Sequence, residues 1–159
     1  MHLLERKIIL DVDTEQLWAF IATPENLNLL TPPELDFRIA SEIPERMYNG
    51  LLIDYRISIP PFGIHRWLTE IKHINEGVSF VDEQRLGPYR LWYHYHEVTP
   101  LSATRTCMID RVNYRLPFGP LGKIVHQLRV QRMLTDIFDY REKQLRKIFP
   151  LAAPAAIAS

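Results

Sequence analysis

The sequence has one cysteine, no net charge and no long apolar run, and each scarcity removes a class of protein. The single thiol, Cys107, forbids an intramolecular disulfide and any metal knuckle built from several cysteines. Nineteen basic residues balance nineteen acidic ones. The chain therefore has no basic surplus for a phosphate backbone and no charge-driven hold on anionic lipid. No apolar stretch approaches the ~18 residues that a membrane span requires. The first ten residues carry Glu5, Arg6 and Lys7 where an export signal would be apolar. The expectation is a cytoplasmic protein that binds no nucleic acid and does not insert stably into a membrane.

Repeats and low-complexity linkers are also missing. A chain of 159 residues is long enough to close one hydrophobic core. Residues 1–149 are read as a single domain and residues 150–159, small and apolar, as a flexible tail.

What remains is a regular order of elements. Residues 2–10 alternate as a first strand. Asp13 has the chemistry of an N-cap, with Gln16 three positions on, and opens a helix to about Ala22. Thr23-Pro24-Glu25 starts a second short helix with proline at its first position, and Thr31-Pro32-Pro33 ends it. A meander of strands follows. Leu35, Phe37 and Ile39 alternate in one strand, and Leu51, Ile53, Tyr55, Ile57 and Ile59 in the next. Residues 64–74, 78–84, 89–98 and 104–115 continue the meander, separated by the turn signals at 60–63, 75–77, 86–88, 99–103 and 117–120. Nothing breaks a helix between 120 and 149. Such a helix would be ~43 Å long. Its apolar stripe drifts from Leu121, Val125 and Leu128 to Met133, Leu134, Ile137, Phe138, Leu145 and Ile148, which predicts a bend or a change of packing partner near 129–133.

The faces of these strands are unusual. Phe80, Asp82 and Gln84 share one side of their strand. So do Trp92, His94 and His96, and then Met108, Asp110, Val112 and Tyr114. Large aromatics and ionisable groups on one concave face suit a small-molecule cavity better than a sealed core. A turn over 99–103 would pair Val98 with Thr104 and make His94 and Asp110 diagonal neighbours. A hairpin at Glu76-Gly77 would set Ile71 opposite Asp82. Trp18, Trp67 and Trp92 read as core or cavity wall, and Cys107 as a small buried filler.

Several stretches of sequence carry a family resemblance. They are Pro24-Glu25-Asn26-Leu27, Leu30-Thr31-Pro32-Pro33, Phe80-x-Asp82-Glu83-Gln84, Gly87-Pro88-Tyr89, Trp92-x-His94-x-His96, Met108-Ile109-Asp110 and Tyr114-x-Leu116-Pro117. With the element order, they resemble the SRPBCC superfamily, the START and birch-pollen-allergen helix-grip proteins. The nearest likeness is to its bacterial polyketide cyclase/dehydrase-like and ligand-binding branch. The resemblance implies an α+β fold. A curved seven-stranded antiparallel sheet would wrap a long C-terminal helix, with two short helices between strands 1 and 2 and a hydrophobic pocket inside. No Rieske cysteine–histidine motif is present, which excludes the oxygenase branch. No catalytic signature of the cyclases maps onto these residues.

The first functional expectation is a binding module for an apolar or aromatic small molecule such as a lipid, polyketide or isoprenoid-like compound. Tyr55, Trp67, Phe80, Trp92, Val125 and Leu128 would form its wall. Thr69, Asp82, Gln84, His94, His96, Met108 and Asp110 would line it or fix an oxygenated end, in a pocket of at least a few hundred cubic ångströms. The alternative is a cyclase or dehydratase in which His94 or His96 is the general base and Asp110 or Asp82 orients it, with His94 and Asp110 as the first choice of pair. A third reading is a protein-interaction module, which would show a filled interior and a large exposed apolar patch. His94 and His96 with Asp82 or Asp110 have the ligand types of a metal site. An alternating histidine pair on a strand is too common to assign one, so no metal or cofactor is assigned, and no protein partner is implied.

Overall fold

The computed structural model describes residues 1–59, 63–117 and 129–150. Seven strands form one antiparallel sheet: β1 (His2–Leu10), β2 (Arg38–Ile39), β3 (Leu51–Ile59), β4 (Gly63–Asn75), β5 (Ser79–Leu86), β6 (Leu91–Ser102) and β7 (Arg105–Arg115). Their order across the sheet is β1-β7-β6-β5-β4-β3-β2. The meander is thus closed by the first strand pairing with the last, His2 against Tyr114 and Leu10 against Thr106. Helix α1 (Thr14–Ile21) follows β1, and α2 (Gln131–Ile148) packs on the same face of the sheet.

Local chemistry explains the elements. The Asp13 carboxylate accepts from the Gln16 amide at 2.8 Å and caps α1. The segment expected as a second short helix is a 3₁₀ helix, Pro24–Leu30, with its proline at the start. Leu35 does not join a strand. It ends a second 3₁₀ turn, Pro33–Leu35, which Asp36 caps with left-handed backbone at φ 39°. That turn leaves only Arg38–Ile39 to pair with β3.

Pro100 does not break β6. Val98 donates to Val78 at 2.8 Å, and β5 has no residue further along to pair. The amide that Pro100 lacks would point into that vacancy, so proline costs no ladder bond there. The strand runs on to Ser102 and pairs Val98 with Met108 instead of Thr104. The displacement is even, so every side chain keeps its face. At the other hairpin, Asn75 pairs with Ser79 across a three-residue turn. A bulge between Lys72 and Asn75, with His73 at φ 55°, restores the register in which Ile71 faces Asp82.

The expected helix over 120–149 is described only in part. Residues 129–130 are π-helical and lead into α2, an irregularity of the kind that bends helices. The expectations for 118–128, including Val125 and Leu128, lie outside the described residues, as do those for 60–62 and 151–159.

Among the described residues, three apolar clusters fill the concave side, the smallest of them Leu35, Ile57 and Ile59. Leu10, Leu17, Trp18, Phe80, Met108 and Leu145 belong to the first. Trp92, Val112, Tyr114, Leu134 and Phe138 belong to the second. Replacing Leu145 with alanine should lower the unfolding free energy by about 2–5 kcal/mol, because the side chain is only 1% exposed. Urea denaturation checks this, and a loss under about 1 kcal/mol would mean that the end of α2 is not clamped to the sheet.

Candidate functional site

Between the first two apolar clusters runs a band of ionisable groups, buried except for Asp82, which is partly exposed. Strand pairing fixes it. Asp82 on β5 lies opposite His94 on β6, and His96 lies opposite Asp110 on β7. All four face the helix side.

The side chains interleave. Asp82 Oδ2 is 3.1 Å from His94 Nδ1 and 2.8 Å from His96 Nε2. Asp110 Oδ1 is 3.0 Å from His94 Nε2 and 2.8 Å from His96 Nδ1. The His94–Asp110 and His96–Asp82 contacts have hydrogen-bond geometry, whereas His96 Nδ1 is buried with no hydrogen bond. The imidazoles lie 3.8 Å apart, and Phe80 stacks on His96 at 4.3 Å. Trp92 Nε1 donates to Asp82 Oδ1 at 3.3 Å. From α2, Arg141 brings its guanidinium to 3.7 Å from Asp110 Oδ2. Arg6, the cross-strand neighbour of Asp110, turns its guanidinium to Asp139 on α2.

The electrostatics follow from this crowding. Burial opposes ionisation of Asp82, but the His94 and His96 imidazoles outweigh it and hold the carboxyl well below its ordinary range. Burial likewise opposes the charge on Asp110, and Arg141 with the two imidazoles overrides it. Burial pushes the His94 imidazolium down. The charges of Asp82 and Asp110 and their hydrogen bonds win, so its pKa is raised. Burial and then the Asp82 charge push the Tyr55 phenol up, which keeps it neutral.

A cavity of about 170 Å³ adjoins the band, between the sheet, α2 and the 3₁₀ segment. Tyr55, Trp67, Thr69, Phe80, Asp82, Trp92, His94 and His96 line it. Three expected residues do not. Gln84 folds back to bond both backbone polar groups of Tyr89, at 2.6 and 3.2 Å, and its side chain fills the space that a Cβ at Gly87 would need. Met108, fully buried, packs into the first apolar cluster. Asp110 sits behind the imidazoles. The volume is also smaller than the few hundred cubic ångströms expected, and aromatic rings crowd its wall. Trp67 meets Trp92 edge-on at 5.2 Å, and Tyr89 lies 4.9 Å from Trp92.

Sequence reasoning missed Arg141, which lines the cavity although it is nine-tenths buried. A signal existed. Arg141 is one turn from Ile137, Phe138 and Leu145, so it is a lone cation on the apolar stripe of its helix. Tyr89, Leu134, Ile137 and Phe138 also line the cavity.

No protein-family model and no curated protein matches the sequence significantly. Solved structures do match. A START superfamily protein from Mycobacterium smegmatis superposes with a TM-score of 0.70 at 12% identity, over 93% of this chain and 99% of that one. The Zhui aromatase/cyclase from a Streptomyces species superposes at 0.66 and 12% identity, over 96% and 99%. A nucleoside-diphosphate sugar epimerase from Corynebacterium glutamicum gives 0.65 at 22% identity. That match covers 91% of this chain but only 28% of the larger protein. The fold is therefore the START-like helix-grip fold, a curved seven-stranded sheet gripping a C-terminal helix. No described helix is long and apolar enough to cross a membrane.

The shifted pKa values predict two stability limits. The lowered carboxyls of Asp82 and Asp110 contribute stability present above their unfolded pKa of about 3.9, lost as pH falls through the folded values. The raised His94 contributes stability present below its unfolded pKa of about 6.5, lost as pH rises through its folded value. Unfolding free energy should therefore peak between these unfolded values, which denaturant titrations at a series of pH values would show. Asp110→Asn should cost about 3–5 kcal/mol by leaving a buried imidazolium short of its partner. In NMR titrations it should also bring the His94 pKa down. An unmoved His94 would mean that the pair is not coupled.

Proposed function

We propose that the protein binds an apolar or aromatic small molecule in the cavity between sheet and α2, with an oxygenated end of the ligand held at the ionic band. The observation that carries this reading is the juxtaposition itself. A mostly apolar cavity meets a few convergent polar groups at one wall, the usual make-up of a small-molecule site. A cavity of about 170 Å³ admits a body of roughly one aromatic ring before side chains must move. A lipid or multi-ring polyketide would require Trp67 or the 3₁₀ segment to give way. We place the protein in the cytoplasm, with a small molecule and not nucleic acid as its partner.

A second reading, a cyclase or dehydratase, takes its support from the His94–Asp110 contact beside the cavity and from the aromatase/cyclase among the structural neighbours. It is the weaker one. A general base needs a free lone pair, and both His94 nitrogens face carboxylates. The interaction-module reading is weaker still. Among the described residues, Leu3 on β1 and Leu52 on β3 are exposed apolar side chains on strands near opposite edges of the sheet, too far apart to make one surface.

Native mass spectrometry of freshly purified protein should reveal a co-purified small molecule, released on denaturation. Ile137→Trp, which fills the cavity from α2, should abolish that mass difference with little change in the circular dichroism spectrum. Protein that carries no small molecule, and that also fails to enhance anilinonaphthalene sulfonate fluorescence more than Ile137→Trp does, would remove the basis of the binding reading. A purified cyclisation or dehydration substrate turned over by the protein, and not by His94→Ala, would favour the enzyme.

A further inference from the structure

The ionic band has a sidedness that a plain network of ion pairs does not need. Each imidazole presents one nitrogen to Asp82 and the other to Asp110. On the Asp82 side, next to the cavity, are His94 Nδ1 and His96 Nε2, both close to Asp82 Oδ2. The three donor atoms lie within 4.8 Å of one another. On the far side, His94 Nε2 and His96 Nδ1 converge on a single oxygen, Asp110 Oδ1. Asp110 is itself held by Arg141.

We propose that Asp82, His94 and His96 form a binding site for one divalent first-row transition-metal ion at the cavity wall. Two nitrogens and a carboxylate oxygen are the ligand set of zinc and of non-haem iron sites. Oxygen–nitrogen separations of 2.8 and 3.1 Å suit ligands about 2.0–2.2 Å from a shared centre. Metal-bound histidines hand their other ring N–H to a carboxylate, which fixes tautomer and ring orientation. Asp110 is placed to take both.

Two polar atoms of the band, His96 Nδ1 and Arg141 Nε, are buried without a hydrogen bond, and the cation accounts for the first. Four nitrogens crowd onto two oxygens, and His96 Nδ1 has no hydrogen bond. With a cation on the Asp82 side, each imidazole uses a lone pair there and carries its single proton on the Asp110 side. Both N–H groups then have the same acceptor. Strand pairing supports the site from behind. Asp82 and His94 are directly paired, and His96 follows two residues later on the same face. None of the three ligands sits on a loop.

Charge and exposure then say what completes the coordination. With neutral imidazoles, the two carboxylates cancel a divalent cation, and Arg141 leaves one positive charge at the wall. The three ligands and Arg141 line the cavity, so the open coordination positions face it. If the cavity takes a small molecule as proposed above, the group at its polar end is an anionic oxygen, a phenolate, enolate or carboxylate. The cation site itself does not depend on that reading.

The test uses full-length, tag-free protein stripped with chelator and titrated with Co²⁺ and then Zn²⁺. Co²⁺ should bind one equivalent with a visible ligand-field absorption band that Zn²⁺ bleaches. Asp82→Asn and His96→Ala should abolish the band. Asp110→Asn, which keeps all three ligands, should weaken binding by about 10- to 100-fold. Because band variants are able to unfold, nitrogen NMR of the wild type supplies an independent readout. Zn²⁺ should convert His94 Nδ1 and His96 Nε2 to metal-bound nitrogens and leave His94 Nε2 and His96 Nδ1 as N–H. The absence of a one-equivalent site at millimolar Co²⁺, a band retained in folded Asp82→Asn, or Zn²⁺ shifts confined to other histidines such as His65 and His73 would each overturn the proposal. Ile137→Trp separates the two readings, since it removes the small molecule and should leave Co²⁺ binding intact.

Discussion

Two carboxylates that cannot stand alone, Asp110 buried and Asp82 partly exposed at the cavity, organise the concave face of this protein. Taking an ionised carboxylate out of water costs several kcal/mol unless it is paired and fully hydrogen-bonded. Asp82 and Asp110 are surrounded accordingly by two imidazoles, an indole N–H and a guanidinium. These partners come from β6, which carries both imidazoles and Trp92, and from α2. The requirement to satisfy the carboxylates therefore ties the middle of the sheet to the helix across it. The apolar clusters on either side take Leu134, Phe138 and Leu145 from the same face of α2, and Arg141 on that face reaches Asp110.

Much of this was legible in the sequence, for a reason particular to strands. A period of two is robust to errors in where strands end. The turn near Pro100 is displaced, and Val98 pairs with Met108 instead of Thr104. The displacement is even, so His94, His96 and Asp110 still share a face. The Ile71–Asp82 pairing also holds, although a three-residue turn and a compensating bulge at His73 produce it in place of a two-residue turn. What the sequence hid was of two kinds. Leu35 continues the alternation of Phe37 and Ile39, yet prolines 32 and 33 commit it to a 3₁₀ turn. Gln84 has the right parity for the cavity, yet its amide is claimed by the Tyr89 backbone. Parity says which side a residue is on and not which partner takes it.

Arg141 illustrates the opposite limit. Its position within an apolar stripe was visible, but a cation on a helix usually reaches water. Its burial follows only from the presence of Asp110 beneath it, a residue far away in sequence. Charge partners of this kind become readable once tertiary structure brings them together.

The chain order of the site has a consequence for how the molecule is made. Asp82, His94, His96 and Asp110 lie on three consecutive strands joined by short turns, so the ionic band can assemble from one continuous stretch of chain. Arg141 emerges later from a ribosome than any of them, and β1, made first, waits for β7 before the sheet can close. During synthesis the nascent sheet therefore holds two carboxylates and two imidazoles facing water, with no lid over them. In the finished protein α2 lies over them, and it is the last of these elements in the chain. A chain cut short before that helix would retain strand-forming sequence with an open, charged hollow, recognisable to quality control by the very groups that the finished protein conceals.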